Sequence, residues 1–171
     1  EVISSSQRFF GIISDNFSRG YAFEFLRLGR FVERADMITR IIDSICTTEK
    51  KEGTIDLSTL EWVNLLKTLS AHQAFRKVSK GEIEKDSVIN FLFKDDSFPR
   101  SIYRCLTIIH KSFLNLPKNN DALVFIQKFL TNLNSTRIGK YDNTKIHSFV
   151  DLTQKKISSI DQIIQKSYFN N

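Results

Sequence analysis

Between Leu26 and Ile45 the apolar residues fall into one register, and that register constrains the fold more than any other feature of the chain. Leu28, Phe31, Ala35, Ile38, Ile42 and Ile45 step by three and four residues, the spacing that lines side chains along one stripe of an α-helix. At ~100° per residue, Arg30, Glu33, Arg34, Met37 and Ile41 share a second arc away from that stripe. A helix that is apolar on one side and mixes ions with Met and Ile on another has neighbours on both sides. The spacing predicts a long helix from about Tyr21 to Thr48 at the centre of an all-α bundle. Gly29 falls in its middle at a cost of ~1 kcal/mol relative to Ala. The ordinary reason for such a glycine is close approach of another helix; the alternative is a ligand pressed against the backbone.

The rest of the chain follows the same period. With six Gly and two Pro in 171 residues, long helices joined by few turns are expected. Residues 1–18 read as a first helix, and Leu57 to Val78 as a third, with Trp62, Leu65, Leu66, Leu69 and Phe75 inward. Lys50-Lys51-Glu52-Gly53 is a polar break, and Ser58-Thr59-Leu60-Glu61 has capping-box spacing. A shorter helix spans about Ile83 to Phe93. Another starts at Pro99, which suits a first helical turn with Ser97 or Phe98 as cap, and runs to Leu116. Asp121 to Leu133 and Thr144 to Ser167 are the last two, with Asn134 to Asn143 a polar connection. The expectation is an all-α helical bundle of about six or seven helices with a long central second helix.

One domain over residues 1–171 is the simplest division, large enough to bury roughly 68–70% of its unfolded surface. The chain opens with Glu1 rather than Met, which reads as a piece of a longer protein. No run of 18 apolar residues is present, so no membrane span is expected. Cys46 and Cys105 fit reduced, buried thiols of a cytoplasmic protein. The formal net charge of +6 permits contact with anionic surfaces, but no block of five basic residues marks a nucleic-acid arm.

Two constellations are candidates for function. The first is the charged arc of the second helix, Arg30, Glu33 and Arg34 with Asp36 and Arg40, within i,i+3 and i,i+4 reach of one another. Buried, these charges must pair into a structural ion network, and removing Glu33 alone would cost ~3–5 kcal/mol. The second reading is a ligand-binding or catalytic arc, and the third an exposed face. The other candidate is the start of the Pro99 helix, where backbone N–H groups with Pro99, Arg100, Ser101 and Arg104 make an anion site. Against it, Asp95 and Asp96 stand ready to occupy the arginines. His72, His110 and His147 have no metal-ligand spacing, and no Gly-rich phosphate loop, nucleophile elbow or other catalytic constellation appears. No metal, cofactor or catalytic residue is assigned.

The stretch from Phe25 to Arg40, reading Phe-Leu-Arg-Leu-Gly-Arg-Phe-Val-Glu-Arg-Ala-Asp-Met-Ile-Thr-Arg, resembles the helix motif of the bacterial Alpha-E family, an α-helical domain named for its Glu-Arg pair. The resemblance continues through Trp62, Leu66, Ser70-Ala71, Phe75-Arg76, Val88, Phe91-Leu92 and Phe98-Pro99-Arg100-Ser101. It covers roughly residues 21–106; beyond Pro117 only the helical pattern agrees. Family members resemble two similar halves in tandem, and this chain is similar to the second, C-terminal half. The resemblance implies an all-α protein from bacterial systems that also carry an ATP-grasp-type ligase and a transglutaminase-like protein and that make or modify peptides. It implies no assigned activity. It carries the Arg-Glu-Arg pattern onto Arg30, Glu33 and Arg34, and the proline turn onto Pro99, Arg100 and Ser101. The resulting expectation is a module that binds a sister ligase or a peptide. The alternative is an enzyme or ligand-binding subunit in which Glu33 is an acid or base and Arg30, Arg34 and Arg100 clamp a carboxylate or phosphate.

Overall fold

The computed structural model describes residues 2–46, 58–79 and 81–169. Among them are eight α-helices and no strand: α1 (Val2–Asn16), α2 (Tyr21–Cys46), α3 (Ser58–Thr68), α4 (His72–Val78), α5 (Lys85–Lys94), α6 (Ile102–Leu114), α7 (Asn120–Ser135) and α8 (Asn143–Ile164). The expected polar break at Lys50-Lys51-Glu52-Gly53 and the cap ahead of α3 lie outside the described residues.

The long second helix is the hub, packed most extensively on α6 and α8. Its apolar stripe does what the spacing requires: Leu28, Ala35, Ile38 and Ile42 are buried, with Phe31 and Ile45 half-buried at the margin. From α6, Ile102, Leu106, Ile109 and Phe113 meet this stripe fully buried, each such side chain contributing about 1.5–3 kcal/mol of transfer free energy. Around α5 the core is aromatic. Phe91 stacks on Phe98 with ring centroids 4.9 Å apart and takes Phe75 edge-on at 5.4 Å. One acid enters this interior. Glu24 is buried near the start of α2, accepting from Arg27 at 3.3 Å and from the Asn115 side chain beyond the end of α6 at 2.8 Å. That pairing ties the two helices and satisfies a carboxylate that would otherwise be costly to bury.

Three features differ from the pattern reading. The expected third helix is two, because the chain breaks at Leu69-Ser70-Ala71. Ser70 takes a positive φ of 52°, its N–H donates to the Lys67 carbonyl at 2.9 Å, and the Ala71 N–H donates to the Leu66 carbonyl at 2.7 Å. These are the paired bonds of a Schellman stop, with serine in the left-handed position that glycine usually fills. The sixth helix starts at Ile102, not Pro99. Its cap is Ser101, whose Oγ accepts from the Arg104 N–H at 3.0 Å. The Asn134–Asn143 connection is not simply polar: Ile138 and Gly139 are buried in a 3₁₀ turn, Ile138–Lys140, packed on α5. A Cβ on Gly139 would strike the Asn90 side chain and lie 2.9 Å from the Asp86 carbonyl oxygen, so glycine is required there by space.

Candidate functional site

Along α2, an open groove of about 1410 Å³ runs from Ala22 to Ile41. α1 forms one wall, and Thr68, Leu69 and Arg100 stand at the far end. Its lining combines apolar groups, among them Phe10, Leu26 and Met37, with Arg30, Glu33, Arg34 and Arg100. The motif arc of the second helix and the arginine of the proline turn therefore face one space, although 70 positions of chain separate Arg30 from Arg100.

Each arginine is held by something other than an acid. The Arg30 guanidinium lies over the Phe10 ring, 4.0 Å from its centroid, an attraction that also fastens α1 to α2. Arg34 lies 4.7 Å from the Phe31 centroid and donates to the Pro99 carbonyl at 3.3 Å. Arg100 donates to the Leu69 carbonyl at 2.7 Å, at the end of α3. Burial first, then the neighbouring charges of Arg30 and Arg100, push the Arg34 pKa below its ordinary value. Glu33 is exposed and, among the described residues, makes no ion pair with Arg30 or Arg34. The groove thus collects three cations around one carboxylate, with hydrogen-bond capacity to spare on each guanidinium.

The remaining candidates fall elsewhere. Asp36 and Arg40 pair with each other at 2.7 Å, off the groove, and that bond raises the Arg40 pKa. Charge pairing in this stretch is therefore an exposed i,i+4 bridge, not a network locking Arg30, Glu33 and Arg34. At the start of α6, Ser101 is fully buried, and its hydroxyl donates to the Asp95 carbonyl while accepting from Arg104. Asp95 Oδ1 accepts from the N–H and hydroxyl of Ser97 and from the Phe98 N–H; it closes the turn instead of holding Arg100. Of the N–H groups at this helix start, that of Ser101 donates to the Phe98 carbonyl at 3.1 Å and that of Arg104 to the Ser101 hydroxyl, and Pro99 contributes its carbonyl to Arg34. Cys105 is buried on α6, and burial pushes its pKa up to about 12, so it is a protonated thiol at neutral pH and no nucleophile. The Cys46 side chain lies outside what is described.

A cluster that no spacing signals joins α2 to α8. Asp43, His147 and Asp151 offer ligand-type atoms within 4.8 Å of one another. His147 Nδ1 lies 2.6 Å from Asp43 Oδ1, and Nε2 lies 3.8 Å from Asp151 Oδ2. The hydrogen bond to Asp43 and the charge of that carboxylate raise the His147 pKa. With each ring nitrogen turned to a carboxylate, the trio works as a clasp between two helices.

No described helix is long and apolar enough to cross a membrane. No curated protein and no solved structure matches the chain. The sequence pattern of the Alpha-E family, a predicted alpha-helical domain with a conserved ER motif, matches residues 1–169, so the likeness extends well past the Pro117 boundary that the motifs alone set. Glu33-Arg34 is the Glu-Arg pair within the groove-lining arc. The chain belongs to the Alpha-E family.

Proposed function

We propose that this domain is a binding module that holds a carboxylate-bearing peptide or protein segment in the groove beside α2. The observation that supports this reading is the cluster of Arg30, Arg34 and Arg100, which line one open groove and, among the described residues, form no ion pair. Arg34, half-buried and without a counter-ion among the described residues, has given up hydration that an arriving carboxylate restores through charge-assisted hydrogen bonds, and the exposed Arg30 and Arg100 flank it. Phe10, Leu26 and Met37 supply apolar area beside the cations, as in sites where a few polar groups orient an otherwise apolar ligand. Glu33 opposes polyanions, and it accepts hydrogen bonds from amide or ammonium groups of a peptide. The partners we assign are those of the family setting: an ATP-grasp-type ligase or a transglutaminase-like protein, or the peptide they handle, in the cytoplasm.

Fluorescence anisotropy tests this with a fluorescein-labelled Glu/Leu-rich 15-residue peptide, its Glu→Gln counterpart, and the variants Arg34→Gln, Arg100→Gln and Lys128→Gln. Lys128 is an exposed cation on α7, away from the groove. The expected result is binding of the acidic peptide that weakens at least tenfold in the first two variants and is unchanged in the third. Equal binding of the Gln peptide, or indifference to Arg34 and Arg100, refutes the reading.

An enzymatic reading draws support from Glu33 and Arg100 lining the same groove, since an acid or base needs its anion clamp within reach. Incubating the bound peptide with the domain and following its mass decides the matter: no change in mass, with or without ATP and Mg²⁺, removes it.

A further inference from the structure

The shape of the groove restricts what fills it. Along α2 from Ala22 to Ile41 it is about 28 Å long at 1.5 Å per helical residue, the span of roughly 19 residues of helix but of only about eight residues of extended chain. Both long walls are α-helices, whose backbone groups are spent within the helix. They offer no strand edge, so an extended ligand would lay its own N–H and C=O groups on apolar side chains without partners. An α-helix satisfies its backbone internally and needs only side-chain complementarity.

Two glycines point the same way. Gly11 on α1 and Gly29 on α2 both line the groove, and among the described residues a Cβ built on either meets nothing within 4 Å. Neither glycine is therefore explained by packing among the described residues. Small residues on a helix face let a second helix approach closely. Around them, Phe9 and Met37 remain 55% and 56% exposed, apolar area of the kind that a helix-in-groove contact covers.

We propose that the occupant of the groove is an amphipathic α-helix from a partner protein, with Asp or Glu along one edge, that packs over Gly29 and Gly11 and pairs its acids with Arg30, Arg34 and Arg100. This rests on the reading of the groove as a site for carboxylate-bearing segments and specifies the conformation of that segment. Charge selects the partner. The chain itself carries a formal net +6, and a second copy docked symmetrically would set arginines against arginines.

The test is selection from a displayed library of 21-residue segments in which helix-patterned and proline-interrupted members are equally represented. Binders are then measured against Gly29→Leu, whose fold is verified by a thermal midpoint no lower than that of the parent chain, and against Arg34→Gln. The expected winners are acidic, amphipathic and helical by circular dichroism, and they weaken at least tenfold with each variant. Acidic winners that contain mid-segment proline and ignore Gly29→Leu overturn the helix while leaving the carboxylate reading intact. Enrichment of neutral or basic segments, or of none, overturns both. A dimer at micromolar concentration by sedimentation, abolished by Gly29→Leu, overturns the partner in favour of a second copy.

Discussion

Gly29→Ala sets the demands of folding against those of recognition at one atom. Gly29 lies in the interior of α2, where replacing glycine by alanine gains ~1 kcal/mol from helix propensity. Among the described residues the new methyl meets nothing within 4 Å, so neither a clash nor added burial changes that figure. For a chain of this size, ~1 kcal/mol corresponds to a rise of about 2–4 °C in the thermal midpoint. Differential scanning calorimetry measures it directly, with urea titration as a second probe that should show a higher midpoint at unchanged slope. Gly11→Ala is the internal control. Its Cβ is equally unobstructed, but α1 packs only sparsely on the rest of the molecule, so the gain stays local and the cooperative transition hardly moves. A lower midpoint for Gly29→Ala would refute the reasoning, because it would mean that the space beside residue 29 is filled in solution.

Ser101→Ala removes the α6 cap and leaves the half-buried Asp95 carbonyl without its donor; a loss of about 1–3 kcal/mol is expected by chemical denaturation, the sum of a cap and a hydrogen bond to a half-buried acceptor. Gly139→Ala pushes a methyl against the Asp86 carbonyl and the Asn90 side chain, and the resulting overpacking costs about 1–3 kcal/mol, read as a lower urea midpoint. The His147 pKa is raised above its ordinary 6.5 by Asp43 and, to a lesser degree, Asp151. Its stabilising contribution is therefore complete below pH 6.5 and disappears as pH climbs through the raised value. His147→Gln should flatten the thermal midpoint against pH in that window, and a slope unchanged from wild type would discount the clasp.

What could be read from the residues depended on how far the relevant physics reaches along the chain. The stripe of α2 and the inner faces of α3, α5, α6 and α8 were legible because helical period is a local property, and burial follows from it. The split of the third helix was hidden because Ser70, not a glycine, occupies the left-handed stop. Pro99 suggested a helix start three residues early, since a proline fits the turn before a cap as well as it fits a first helical turn. Spacing showed that Arg30, Glu33 and Arg34 lie within reach of one another, but not whether they pair; that depends on where Pro99 and Leu69 place their carbonyls. Glu24 is a lone acid in an apolar run, and nothing in its spacing marks its partner Asn115. The Asp43–His147 contact joins residues 104 apart, beyond any periodic signal.

The serine stop after α3 has a consequence for charge as well as for shape. In an uninterrupted helix the Leu69 carbonyl would be taken by the N–H of Gln73. Because the chain turns at Ser70, that oxygen instead anchors Arg100. A single left-handed residue thus frees the carbonyl that fixes the Arg100 guanidinium at the end of the groove.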